Sequence, residues 1–235
     1  ADLAKSGPKD IILLHGCCHN PTGADIRLSD WIAITELALK NGFIPFVDIA
    51  YQGFGDGLEA DAAGLRFMAD RVPQMFIATS CSKNFGLYRE RTGAAMVIAA
   101  NIEIAMNAKA KLLQMARATY TMPPDHGAAI VGRILNDEAL TLSWRTELDE
   151  MQKRLLSLRT DLCAALRDET QSTDFDFIEQ HKGMFSVIGF NPNQMASLKS
   201  EHGIYAVGDG RINIAGMQKQ HIDYIAKSVA SVANK

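Results

Sequence analysis

The stretch Asp30-Trp31-Ile32-Ala33-Ile34-Thr35-Glu36-Leu37-Ala38-Leu39-Lys40-Asn41-Gly42-Phe43-Ile44-Pro45-Phe46-Val47-Asp48 reads as a helix and then a strand. Apolar residues recur at helical spacing as far as Lys40. Asn41-Gly42 supplies the stop, because glycine enters the left-handed region at no steric cost. Residues 43–48 are then an apolar run of strand length, and residues 11–14 are a second such run upstream. A strand, helix, strand crossover of this length implies parallel pairing, since antiparallel neighbours need only a short turn. Residues 75–80 and 94–100 repeat the apolar run. The first half therefore predicts an α/β fold with a mostly parallel sheet.

Beyond residue 100 the pattern becomes helical, over 102–118, 127–135 and a long segment at 140–167 in which Arg145, Glu147, Asp149, Glu150, Lys153 and Arg154 alternate with leucines. The remainder predicts short strands at 175–179 and 184–190, a helix at 194–202 and a last helix at 220–232. These elements divide the chain into a large domain, residues 1–149, and a smaller α/β C-terminal domain, residues 150–235, with the boundary inside the long helix.

At 235 residues and 47% hydrophobic content the chain is long enough to bury a full core. Its 24 basic and 27 acidic residues leave a formal charge of -3, and no basic run tracks a phosphate backbone, so no nucleic-acid partner is expected. The apolar stretches are too short to span a bilayer and no apolar signal segment opens the chain, which predicts a soluble, cytoplasmic protein. Cysteines 17, 18, 81 and 163 fit neither a CxxC metal site nor a disulfide framework and read as small buried residues in a reducing compartment. Cys17, Cys18 and His19 are adjacent, but neighbours on an extended strand point to opposite faces, so no metal is expected.

Residues with usable chemistry gather where the predicted strands end: His19-Asn20-Pro21-Thr22-Gly23 after the first, Asp48 and Tyr51 after the second, and Ser80 to Lys83 after the third. Ligands of open parallel sheets sit outside the carboxyl ends of the strands. An amide, a carboxylate, a phenol, hydroxyls and a lysine would converge there. Pyridoxal 5'-phosphate asks for that set: a lysine for its aldehyde, an acid for its pyridine nitrogen, and donors for its ring oxygen and phosphate.

The segment Ser80-Cys81-Ser82-Lys83-Asn84-Phe85-Gly86-Leu87-Tyr88-Arg89-Glu90-Arg91-Thr92-Gly93 closely resembles the cofactor-lysine segment of class I aspartate and aromatic aminotransferases. His19-Asn20-Pro21-Thr22-Gly23, Asp48-Ile49-Ala50-Tyr51-Gln52-Gly53 and Gly210-Arg211-Ile212-Asn213-Ile214-Ala215-Gly216 agree in order and spacing. The resemblance implies a pyridoxal-phosphate transferase of fold type I, moving an amino group between aspartate or an aromatic amino acid and a 2-oxo acid such as 2-oxoglutarate by a ping-pong mechanism. It makes Lys83 the lysine that bonds the cofactor and carries the proton. Asp48 becomes the partner of the pyridine nitrogen, and Asn20 and Tyr51 the donors to the ring oxygen. Taken alone, an Asx turn before Pro21 or a packed aromatic would account equally for those two. Pro21 matches a family cis-proline. Ser80, Ser82 and Arg91 match the phosphate anchors.

Arg211, in an apolar strand-like run, matches the arginine that pairs with the substrate α-carboxylate. Arg117, in Arg117-Ala118-Thr119-Tyr120-Thr121-Met122-Pro123-Pro124, matches one that reads a side-chain carboxylate from the neighbouring subunit. That implies a homodimer with shared active sites, although a cation ending a helical pattern is favoured by the helix dipole without any ligand. Phe185 matches an aromatic lining the substrate cleft and equally fits a core position.

The resemblance also implies that the family's N-terminal portion precedes this chain, with a glycine-containing phosphate loop and the ring that stacks on the pyridine. Without it, sheet edges and apolar faces should be exposed. Three other readings stay open. A decarboxylase or lyase on the same scaffold keeps the same anchors. A pyridoxal-phosphate-binding regulatory module would bind without turnover. A serine acyltransferase built on Ser80 and Lys83 would need Ser-Asp-Asn and Lys-Thr-Gly partners, and neither occurs.

Overall fold

The computed structural model describes residues 2–233. In chain order its elements are β1 (Ile11–His15), α1 (Leu28–Asn41), β2 (Ile44–Ile49), α2 (Leu58–Asp61), α3 (Ala63–Ala69), β3 (Met75–Ser80), β4 (Gly93–Ile98), α4 (Ile102–Thr119), α5 (Asp125–Leu135) and α6 (Glu138–Thr170). Then come α7 (Phe177–Gln180), β5 (Phe185–Val187), α8 (Pro192–His202), β6 (Arg211–Asn213) and α9 (Ile222–Ala233). The chain divides into two compact units. One runs to Cys17 and takes in Ile26–Gly53 and Leu58–Leu148; the other comprises Cys18–Asp25, Phe54–Gly57 and the chain from Asp149 onward.

In the first unit a four-stranded sheet has the order β1-β2-β3-β4. β1 pairs parallel with β2, and β2 with β3, which the intervening helices α1 and α3 require. β4 returns antiparallel along β3, so the sheet is mixed and mostly parallel. α1 ends at Gly42 with φ 80°, and buries Trp31, Thr35 and Ala38. Gly64 of α3 lies against the Trp31 ring, where a β-carbon would collide with the indole. The core beneath the sheet is Val47, Ile49, Met68, Met75 and Ile77. Apolar surface is nonetheless exposed: Ile11 and Leu13 on edge strand β1, and α4 along its whole length, which buries none of its residues.

The second unit holds α6 from Asp149 onward, α8 and α9, which contact each other, and the antiparallel pair β5–β6. α8 starts with a capping box between Asn191 and Gln194 and ends at Gly203 with φ 64°. Here two expectations fail. Residues 175–179 form no strand: Phe175 and Ile178 are the buried pair, a spacing of three, and the chain turns into α7. Helical spacing wins over the expected strand, and Ile178 is completely buried. The strand expected at 184–190 is cut to β5, with Gly189 at φ 77° just beyond it. A third correction concerns the cysteines. β1 ends at His15, and Cys18 has φ 52°, so Cys17 and Cys18 are not strand neighbours; both are buried.

Candidate active site

In the first unit, residues at the ends of β2 and β3 are drawn together by turn contacts. Asp48 is opposite His15 on β1 and Ala78 on β3, and its carbonyl accepts from the Gly16 amide at 2.7 Å. Tyr51 follows β2 and is buried. The Lys83 ammonium nitrogen lies 4.4 Å from the centre of the Tyr51 ring. Asn84 donates to the Gln52 carbonyl at 3.2 Å, which ties the lysine turn to the tyrosine turn. Beyond Lys83 in the chain, Phe85 stacks on Trp144 of α6 at 4.3 Å, and Trp144 donates to the Asn84 carbonyl at 2.7 Å. Gly53 has φ 98° and a β-carbon there would meet Leu148, so the tyrosine turn closes only with glycine.

The Lys83 amine is half-buried, and burial pushes its pKa below the ordinary lysine value of 10.5; Asp48 pulls it back up and Arg91 pushes it down further. A nucleophilic amine needs that direction of shift. Ser82 is buried and its amide donates to Ser80 Oγ at 3.1 Å. Arg91 is exposed, in the left-handed region at φ 54°, and donates to the Tyr88 carbonyl at 2.7 Å. Burial raises the Cys81 thiol, which makes it a poor nucleophile between the two serines. These donors fit pyridoxal phosphate by their chemistry: an amine with lowered proton affinity, a carboxylate, a phenol, two hydroxyls and a guanidinium within one unit.

The second unit gathers the remaining predicted residues except Arg117. The turn after β1 carries a cis Asn20-Pro21 bond. It is held by His19 on Thr22 at 2.6 Å and by the Lys182 amide on the Gly23 carbonyl at 2.8 Å. Asn20 Oδ1 accepts from Arg211 at 3.0 Å, and the Arg211 guanidinium lies 5.3 Å from the Phe185 ring centre. Arg211 Nε is buried and has no hydrogen-bond partner among the described residues. A desolvated guanidinium edge without an acceptor is suited to a carboxylate. Arg117 stands apart, exposed in the last turn of α4.

Sequence reasoning passed over Arg159. It lies in α6 among Leu155, Leu158, Leu162 and Leu166, all buried, and is itself 1% exposed. A cation on an otherwise apolar helical stripe was the available signal.

The aminotransferase class I and II family model matches residues 1–229. An aromatic-amino-acid aminotransferase of Paracoccus denitrificans is 47% identical over 99% of this chain and 59% of its own length. An aspartate aminotransferase of Salmonella typhi is 41% identical over 99% of the chain and 59% of its length. Among solved structures, an aromatic-amino-acid aminotransferase from Burkholderia pseudomallei covalently bound to pyridoxal phosphate superposes with a TM-score of 0.94 at 40% identity, covering 98% of this chain and 58% of that one. The chain thus spans about 59% of the length of the curated relatives it matches.

Proposed function

The chain belongs to the class I and II aminotransferase family, and we propose that the intact protein transfers an amino group between aspartate or an aromatic amino acid and a 2-oxo acid, with pyridoxal phosphate held on Lys83. The observation that carries this reading is the Lys83 amine, packed against Tyr51 with its pKa lowered by burial. When bound, the cofactor's protonated pyridine ring supplies the electron sink for loss of the α-proton.

The chain's own residues do the rest. Lys83 would take the proton from the substrate α-carbon and deliver it to the cofactor's C4′ carbon, and the second half-reaction would run the same transfer in reverse. Asp48 keeps the pyridine nitrogen protonated, while Tyr51 and the Asn20 amide donate to the ring oxygen. Ser80, Ser82 and Arg91 anchor the phosphate. Arg211 binds the α-carboxylate, with Phe185 as a wall against its guanidinium.

The two units serve as cofactor-binding and small C-terminal domains. Arg117 reads a distal carboxylate in a neighbouring subunit of a homodimer; exposed Arg117 on a helix that buries none of its residues supports this. A mixed dimer of Lys83→Ala and Arg117→Leu subunits would then regain aspartate turnover at one site, and no regain above either parent would count against sharing. No helix among the described residues is long and apolar enough to cross a membrane, and we place the enzyme in the cytoplasm; fractionation of cells tests that.

The test of function is donor profiling of the intact protein with 2-oxoglutarate as acceptor. Glutamate should form from aspartate, phenylalanine or tyrosine. Carbon dioxide release without glutamate would overturn the reading in favour of a decarboxylase.

A further inference from the structure

A buried arginine must replace its lost hydration with acceptors, and usually an acid supplies them. Among the described residues, no carboxylate forms an ion pair or hydrogen bond with Arg159, and Asp25 acts on it only through its charge. One terminal nitrogen donates to the Ile178 carbonyl at 3.1 Å and to Ser186 Oγ at 2.7 Å. The other donates to the carbonyls of Lys182 at 3.1 Å, Gly183 at 2.8 Å and Phe185 at 2.8 Å. Nε has no hydrogen-bond partner among the described residues. Burial lowers the guanidinium pKa to about 10, against the pull of Cys18 and Asp25, so it remains a cation at neutral pH. Every acceptor of its hydrogen bonds belongs to one short stretch, residues 178–186.

That stretch supports each part of the Arg211 cluster. The Lys182 amide holds the Gly23 carbonyl and so the turn that presents Asn20. Gly23 has φ 77°, and a β-carbon there would run into the Phe185 carbonyl that Arg159 binds. Phe185 begins β5, whose register sets Val187 opposite Arg211. Without the guanidinium, several buried carbonyls would lose their donors together, and the stretch would have to move or admit water.

We propose that Arg159 is a positioning residue for carboxylate binding: a fixed guanidinium whose fork sets Phe185 and the Asn20 turn around Arg211. This rests on the reading of Arg211 as the carboxylate binder. A planar fork is needed because a lysine ammonium reaches fewer of these carbonyls at once.

The experiment uses the intact holoenzyme and succinate, a dicarboxylate with no amino group to transfer, titrated calorimetrically, together with KM and kcat for the amino donor. Arg159→Met should raise the succinate Kd and the donor KM by about 10- to 100-fold, with kcat changed far less and the cofactor still bonded to Lys83. Arg159→Lys should fall between this variant and wild type. Ser186→Ala, which removes one acceptor, should weaken succinate in the same direction and decides the matter if the arginine variants do not fold. Wild-type succinate affinity in the folded variants, or a loss confined to kcat, overturns the proposal. Arg211→Leu is the control for the underlying reading. If it leaves succinate binding intact, the assignment of Arg211 fails; if it abolishes binding while the Arg159 and Ser186 variants do not disturb it, the positioning role alone fails.

Discussion

Lys83 in the sheet unit and Arg211 in the small unit are both half-buried cations beside an aromatic ring, 4.4 Å from Tyr51 and 5.3 Å from Phe185 respectively. Their surroundings treat the charge differently. Around Lys83, burial lowers the proton affinity while Asp48 and Arg91 pull in opposite directions, so the charge is adjustable. Around Arg211, Asn20 fixes the direction of a planar guanidinium, and one edge is left for an acceptor. The first arrangement suits chemistry on a proton, and the second suits holding an anion in place.

The difference between the two cations disappears if Lys83 proves dispensable. Lys83→Ala should lower kcat by at least about 100-fold, with the cofactor retained through the remaining groups of its unit; steady-state kinetics and visible absorbance check both halves. Arg211→Leu should do the reverse, raising the donor KM by roughly 30-fold, about 2 kcal/mol, with the lysine-bound cofactor absorbance unchanged. A loss of kcat at constant KM would mean that the two cations share one task.

Smaller effects sharpen the contrast. In the cofactor-free protein Arg91→Gln should raise the Lys83 pKa, because Arg91 pushes it down, and Asp48→Asn should lower it, because Asp48 pulls it up. The pH dependence of cofactor attachment should therefore shift in opposite directions in the two variants, and shifts of the same sign would contradict the account. In the small unit, burial and then the Arg159 charge hold the pKa of His181 below its ordinary 6.5. The unfolded chain then binds more protons there, so stability should fall as pH drops below about 6.5. Urea unfolding at stepped pH should show that this loss is reduced in His181→Gln; an unchanged slope would mean that His181 is not the titrating group.

The same two units differ in how far their sequence could be read. The sheet unit was legible because its strands are contiguous apolar runs and its helix stop is a glycine, with Gly42 at φ 80° as expected of a C-terminal cap. The lysine segment is also continuous, so Ser80 to Arg91 could be recognised as a piece. The antiparallel return of β4 was not legible, since an apolar run carries no direction. In the small unit the decisive partners are far apart in the chain: Arg211 bonds Asn20 across 191 positions, and Arg159 bonds Phe185 across 26. The error at residues 175–179 has the same origin. A strand was expected there, but Ile178 is buried and its carbonyl accepts from Arg159 of α6, 19 positions away, a contact that local spacing cannot report.

The most direct test of the central claim is to find where the cofactor is bonded. Intact protein loaded with pyridoxal phosphate would be reduced with borohydride, digested and mapped by mass spectrometry. The account predicts a single reduced adduct on Lys83, lost in Lys83→Ala. An adduct on another lysine, or an equal adduct in the alanine variant, would contradict it.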